Sequence, residues 1–381
     1  MELAKSLLKI NVEPIVFSPY EETRTTKDGV KVVKVPTLFS SIKMEDTFYY
    51  ATRRAYYNRA LQKLIIKLST KLLNGRIQLS SKLHELFKKF DLDVLQAEQD
   101  NAALSLLSMR SKLDLPIVLD LHGIWSEELL AANAIEVGSG EWIELQGLMR
   151  HIVNNVDLTV SLSDPMKDYV LSNYGVDSSH VVVIPPGGRV LLDKYVERPM
   201  PWKVVYAGIV SYRKHVDLFV RSIRYVKART ANVEFYITRK GDLLSSIQSL
   251  SQRLKVNSNF FWFKNFDQTL QFLTSCHVGV HPSTSDTSAR LSMPSKLFDY
   301  LSVGLPVVAN DVGGWTEIVK TNNLGIVTSD DPKDFAAGIT EFLENPEEIA
   351  KCGRRGIELI KNKYNWDNSA KLLAQSYERL I

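Results

Sequence analysis

From Pro282 to Val319 the chain reads PSTSDTSARLSMPSKLFDYLSVGLPVVANDVGGWTEIV. This stretch divides into a polar loop, a helix, a buried strand and a glycine turn that opens a second helix. Pro294 stands where a first-turn proline loses no hydrogen bond, with Ser295 beside it, so the helix starts about there. Leu297, Tyr300 and Leu301 fall on one helical face, and Gly304 ends the helix. Leu305 to Ala309 is almost wholly apolar, as a parallel strand covered on both faces must be. Gly313 and Gly314 allow a tight turn into the next helix, whose first turn carries Glu317.

The first of these helices has a chemical consequence. Its N-terminus, at Ser295, Lys296 and Leu297, presents backbone N–H groups free to receive a phosphate. Asp299 lies one turn further in, where a carboxylate can hold a pair of sugar hydroxyls. Phosphate and sugar hydroxyls side by side point to a nucleotide-sugar.

The rest of the chain supports a two-domain α/β protein. Its 381 residues are 45% hydrophobic, enough for two buried cores. The net charge of +4 is too small to argue for nucleic acid. Cys276 and Cys352 are the only cysteines, without metal-type spacing, and read as reduced core residues. The N-terminus has no apolar stretch preceding a cleavage site, and no run approaches the roughly 20 apolar residues of a membrane span. A cytoplasmic protein is the expectation.

Strand-like runs alternate with amphipathic helices, which predicts parallel sheets with helical crossovers. In the first half the predicted strands are 14–17, 30–35, 94–97, 117–121, 158–162 and 181–184. In the second half they are 203–206, 233–237, 260–263, 278–281, 306–309 and 324–327. Pro185-Pro186-Gly187-Gly188, followed by Pro199-Met200-Pro201, reads as the linker between halves. After Asp331 the pattern is helical to the end. Two such units bind ligands at the carboxyl edges of their sheets.

Pro294 to Leu301, then Gly304, Pro306 to Ala309, Gly313-Gly314 and Glu317 to Val319, resemble the donor-site signature of retaining GT-B glycosyltransferases of family 4. The resemblance extends more thinly over nearly the whole chain. It implies two Rossmann-like doubly wound domains facing across a cleft. The acceptor domain would be residues 1–187 and the nucleotide-sugar domain 188–364, with a helix over 365–381 returning to the first domain. The implied reaction moves a hexose from a nucleotide-sugar to a hydroxyl acceptor with retained anomeric configuration, without cofactor or metal. One departure concerns the start. Met1 to Leu8 matches the family's first helix, where members normally carry a strand and a glycine-rich loop beforehand. The expectation is a truncated start and a first-domain sheet lacking its first strand, with 14–17 the earliest strand.

Several residues could carry the chemistry. In Lys203 to Asp217, KVVYAGIVSYRKHVD, Gly208 permits a close backbone turn and Lys214 can reach a diphosphate from the first helical turn. The bland alternative is a solvated basic helix start. The family shows Gly-Arg-Leu here, but this chain has Ile209 in the arginine's place, and Arg213 is the candidate to restore that charge. The family also pairs its acid at position 299 with a glutamate eight residues earlier, where this chain has Leu291. Asp299 would hold the ribose, unless it is only a helix-dipole partner. Sugar recognition would then fall to the preceding loop, with Ser283, Ser285, Asp286 and Ser288 as candidates.

In the first half, Ile117 to Ile124 reads IVLDLHGI, a strand ending at His122. It resembles the family's His-Gly, whose histidine touches the donor sugar; a structural histidine is the alternative. Asp120 reads as a turn acid, and Glu127 and Glu128 as solvated. Ser163 or Asp164 caps the helix after strand 158–162. Asp91-Leu92-Asp93 resembles a metal-binding D-x-D, but it precedes a strand at the amino edge and reads as turn chemistry. No metal is therefore expected, with Lys214 and helix termini neutralising the diphosphate.

From Phe48 to Asp91 lysines and arginines face only Glu85 and Asp91, interleaved with Tyr49, Tyr50, Tyr56, Tyr57 and leucines. Such a basic amphipathic stretch lies on anionic lipid, at about 1 kcal/mol per placed charge, or is a helix with a solvated cationic face. The expectation is a peripheral protein at the inner face of a membrane, with a lipid-linked or glycan acceptor and no nucleic acid. Two rivals share the fold: a nucleotide-sugar epimerase, and a catalytically impaired binding module suggested by Ile209 and Leu291. No G-x-G-x-x-G follows a strand, which argues against a dinucleotide dehydrogenase.

Overall fold

A computed structural model of the chain describes residues 1–18, 22–34, 83–211 and 214–381. The chain forms two compact units, Met1–Pro185 together with Trp366–Ile381, and Pro186–Asn365.

The first unit opens with the helix Glu2–Leu8 and strands β1 (Ile15–Ser18), β2 (Arg24–Thr25) and β3 (Lys31–Lys34). These strands form a small sheet in the order β1-β3-β2, with β1 parallel and β2 antiparallel to β3. A second, wholly parallel sheet follows in sequential order: β4 (Leu95–Glu98), β5 (Ile117–Leu121), β6 (Leu158–Ser161) and β7 (Val181–Val183). All five residues of β5 are buried, as a central parallel strand requires. The core beside Val118, Leu158 and Val160 is closed by Leu7 and by Ala370 and Leu373 of the last helix, Trp366–Tyr377. That helix is tied to this unit at both ends of its first turn. Asp367 accepts from Ser6 Oγ at 2.6 Å and pairs with Lys9 at 2.8 Å, while Ser369 Oγ donates to the Pro185 carbonyl at 2.8 Å.

The second unit holds β8 (Trp202–Tyr206), β9 (Val233–Thr238), β10 (Asn259–Phe261), β11 (Val278–His281), β12 (Val307–Asn310) and β13 (Gly325–Thr328). They pair in the order β10-β9-β8-β11-β12-β13, every pair parallel. Successive strands run outward from β8 on one side and from β11 on the other, so the winding reverses between them. Period-2 alternation splits β8 between two cores. Val204 and Tyr206 meet Phe219 and Phe335 on one face, and Val205 meets Leu297, Leu301 and Trp315 on the other. Helices thus cover both faces, which is why these strands read as continuous apolar runs.

The deciding stretch folds as its sequence predicts, except that the polar loop before Pro294 contains a short helix, Thr287–Leu291, capped by Asp286. The helix is Ser295–Ser302 with Pro294 as its N-cap, Gly304 follows at φ 68°, and Gly313 and Gly314 turn at φ 70° and 57° into the helix Trp315–Thr321. Tyr300 fastens the first helix to the sheet. Its hydroxyl accepts from Ala207 N at 2.8 Å and lies 3.1 Å from the Val280 carbonyl. Gly279 makes room for it, since a Cβ there would lie 2.7 Å from the Tyr300 ring.

The predicted strands are present to within about two residues at each end. The exposed two-residue β2 escaped prediction because it has no apolar pattern. β12 extends through Asn310, a buried polar residue. The earliest strand among the described residues is β1, and both cysteines are buried and free. Among the described residues no helix is long and apolar enough to cross a membrane. Most of the basic stretch, through residue 82, lies outside the described residues.

Candidate donor-binding and histidine sites

In the second unit the chain leaves β8 at Ala207 and β11 at Pro282, on either side of the point where the winding reverses. This is where α/β sheets bind ligands. Gly208 N donates to Thr238 Oγ1 at 2.9 Å, which ties the first loop to β9. Below it, Lys296 Nζ lies 4.0 Å from the centre of the Tyr206 ring. The amine is buried and has no hydrogen-bond partner. A Cβ on Gly208 would lie 2.3 Å from Nζ, so the bare glycine is what admits the lysine.

Burial, and then the charge of Lys214, hold the Lys296 amine well below the ordinary lysine range, against the pull of Asp299. Burial likewise pushes the Asp299 carboxyl up to about 7, opposed by Arg189 and Lys296. Lys214 begins the turn before the helix Val216–Arg229, its N–H donating to the Ser211 carbonyl at 3.0 Å. Ile209 is 40% exposed, and Arg213 lies outside the described residues. Leu291 is a buried core residue.

The loop after β11 is bolted to β12. Ser283 N donates to Asn310 Oδ1 at 2.8 Å, and Asn310 Nδ2 donates back to the Ser283 carbonyl at 2.7 Å. Asp286 is occupied as a helix cap, accepting from Ala289 N at 3.0 Å and Ser288 Oγ at 2.7 Å. Ser285 Oγ donates to Asp330 at 3.1 Å. Of the three N–H groups read as free at the helix head, that of Leu297 is already taken, donating to the Pro294 carbonyl at 3.1 Å. A tight first turn consumes it. Ser295 and Lys296 head the helix.

His281 was missed by the sequence reading. It is buried at the end of β11, stacked on Trp315 with ring centres 4.5 Å apart, and its Nε2 has no hydrogen bond. Burial, then Lys296 and Lys214, keep it neutral. Its only sequence signal was its place at the carboxyl end of a strand.

In the first unit, His122 follows β5 and its Nε2 lies 3.1 Å from Glu98 Oε2 and 3.4 Å from Asp120 Oδ1. Gln96 braces both acids, its Nε2 donating to Glu98 at 3.0 Å and Asp120 at 3.2 Å while its Oε1 accepts from the Tyr377 hydroxyl. The next residue, Gln99, is held at φ 71°, in the left-handed region, with its side chain accepting from His122 N at 3.4 Å. Hydrogen bonds to Asp120 and Glu98 push the imidazole up to about 10, so it is an imidazolium near neutrality. Burial raises the Asp120 carboxyl, which His122 opposes. The three ligand atoms lie within 4.8 Å of one another, close enough for a cation. The imidazole proton already supplies positive charge between the two acids.

Two expectations are corrected here. Asp120, read as a turn acid, is buried and paired with the histidine. Glu127, read as solvated, is buried and accepts from the Tyr169 hydroxyl at 2.7 Å. Ser163, by contrast, caps its helix as predicted, accepting from Met166 N at 3.2 Å.

Comparison with known proteins covers both units. The model described as glycosyl transferases group 1 matches residues 190–359, and that of glycosyltransferase family 4 matches residues 1–188. An uncharacterized glycosyltransferase of Methanocaldococcus jannaschii is 26% identical over 181 residues, 46% of this chain and 44% of that protein. The chain thus matches less than half the length of that relative. The D-inositol 3-phosphate glycosyltransferase of Paenarthrobacter aurescens is 21% identical across 100% of this chain and 91% of its own. Among solved structures, sucrose-phosphate synthase from Thermosynechococcus elongatus superposes with a TM-score of 0.76 at 15% identity, covering 100% of this chain and 92% of that one.

Proposed function

We propose, starting from a chain that belongs to the GT-B glycosyltransferases, that it moves a hexose from a nucleotide-sugar to a hydroxyl with retained configuration. In this reading residues 1–187 take the acceptor, 188–364 take the donor, and 365–381 return to the first domain. The observation that carries it is the grouping at the carboxyl edge of β8 and β11. Gly208, the helix head at Ser295 and Lys296, and Asp299 one turn inside it suit a diphosphate beside a ribose.

The reaction breaks the bond between the sugar's anomeric carbon and the diphosphate oxygen, and the acceptor oxygen bonds to the same carbon. Negative charge grows on the leaving diphosphate, where Lys214 and the helix head stabilise it, with Arg213 as a further cation. Asp299 holds the ribose hydroxyls. No carboxylate is placed as a nucleophile in the donor loops described above, which favours attack from the leaving-group face. The acceptor proton then passes to the departing phosphate. Ser283, whose backbone is held by Asn310, stays a donor-loop candidate. The part of His122, orienting the sugar, rests on the resemblance alone. The cations make a metal unnecessary, so a chelator should leave the rate unchanged.

A lipid-linked acceptor at an anionic membrane surface is the companion proposal, motivated by the composition of Phe48 to Asp91. The relative acting on D-inositol 3-phosphate supports a hydroxyl acceptor more generally. The test is incubation with a panel of labelled nucleotide-sugars and acceptors, with the product's anomeric configuration read by NMR. Inversion would remove the retaining mechanism. Lys214→Ala should lower turnover by about 100-fold, close to the 3 kcal/mol typical of a lost charge-stabilising donor. Near-wild-type turnover would sink the assignment of that residue.

A further inference from the structure

Ile209, 40% exposed, brings no charge to the loop after β8, yet a lysine amine lies next to that position. Lys296 Nζ reaches up from the helix head to the backbone of Gly208, the residue before Ile209. It has no hydrogen-bond partner, although it is buried, and a buried ammonium without a partner is strongly disfavoured. We propose that Lys296 serves as the second cation for the donor's diphosphate, in the place that Ile209 leaves without charge. The inference rests on the nucleotide-sugar reading of this edge of the sheet.

The surroundings explain how a lysine can wait there. Tyr206 of β8 offers its ring face below, at 4.0 Å, and Gly208 offers no side chain above. The charged neighbours are Lys214, which disfavours the ammonium, and Asp299 on its own helix, which favours it; His281 of β11 is neutral. Arg189 acts on Asp299 from the start of the unit. Without ligand, burial and the charge of Lys214 hold the amine well below the ordinary lysine range. An entering diphosphate supplies the missing negative charge, so the lysine takes up a proton as it binds. Its flexible four-carbon stem allows the amine to turn from Tyr206 toward a phosphate oxygen.

Calorimetry with UDP, GDP and ADP tests this directly at pH 8. There the terminal phosphate of the nucleotide, with an ionisation near 6, is already charged, and so is Asp299, which titrates at about 7. The nucleoside diphosphate that binds wild type should show a heat that depends on the buffer's ionisation enthalpy, in the sense of proton uptake. Lys296→Met should bind it at least tenfold more weakly, without buffer dependence. Adding Ile209→Arg to that variant should recover affinity but not proton uptake. Wild-type binding with the same heat in every buffer, unchanged affinity in Lys296→Met, or no recovery through Ile209→Arg overturns the proposal. If no nucleoside diphosphate binds wild type, the nucleotide-sugar reading itself falls. The buffer comparison needs no variant, so a folding defect cannot mask the result.

Discussion

Asp299 is a carboxyl that the empty protein prefers to keep protonated, because burial raises its ionisation to about 7. Holding ribose hydroxyls as a carboxylate therefore works against stability. Between pH 4 and 7 the native state keeps a proton that the unfolded chain has released, so stability falls as pH rises through that window. Asp299→Asn should remove this slope and raise stability at pH 8 by about 2–4 kcal/mol in urea titrations, at 1.36 kcal/mol per pKa unit. The same variant should bind donor more weakly. Parallel stability profiles for the two proteins would refute the assignment. His122 behaves in the opposite sense. Its folded value of about 10 lies above the ordinary 6.5, so its contribution is complete below 6.5 and lost as pH rises through 10. Its side chain is 46% exposed, and screening reduces the expected contribution to about 1 kcal/mol. His122→Gln should lose about that much at pH 6 and almost nothing above pH 10. An equal loss at both values would mean that packing, not charge, matters there.

At the scale of elements, the helix Ser295–Ser302 is positioned by neighbours that yield space to it. Gly279 clears the Tyr300 ring, and the Gly313-Gly314 turn passes close beneath the end of the preceding helix, Thr287–Leu291. Gly314 sits at φ 57°, and a Cβ there would lie 2.2 Å from the Arg290 carbonyl oxygen. The facing atoms are Arg290 backbone, which leaves no flexible side chain to give way. Gly314→Ala should cost about 1–3 kcal/mol and lower the melting temperature of the second unit by several degrees. Gly147, inside the helix Gly140–Val153, is the contrast, with nothing within 4 Å of a Cβ. Gly147→Ala should be neutral or stabilise by about 0.4–1 kcal/mol through the unfolded chain. Equal effects at the two sites in thermal melts would contradict the close approach at Gly314.

For the whole molecule the decisive feature is that the chain closes its first unit last. Ala370 and Leu373 enter a core begun by Leu7, more than three hundred residues earlier. Burying one leucine contributes roughly 1.5–3 kcal/mol, and removing the helix also uncovers its partners. A chain ending at Asn365 should therefore show faster amide exchange in β5 and β6, while β8, β11 and β12 keep wild-type protection. Uniform acceleration across both sheets, or none, would count against this division of the core.

Sequence by itself determined the buried strands and the helix at Ser295, because these rest on local signals; the exposed β2 and the short helix Thr287–Leu291 escaped it. Apolar runs marked the buried strands, Pro294 and Gly304 bounded the helix, and Gly313-Gly314 announced the turn. The spacing of Gly208, Lys214, Ser295 and Asp299 also marked the candidate donor site, since its pieces lie at strand and helix ends that punctuation reveals. Tertiary structure alone decided the partners. Glu98 and Asp120 flank His122 because β4 and β5 pair in register, Glu98 opposite Asp120, across a gap of 22 residues. His281 lies against Trp315, and Lys296 against Tyr206 beneath Gly208, for the same kind of reason. Sheet register and helix docking set these distances, and burial then sets the charge states. Neither is written in any local run of residues.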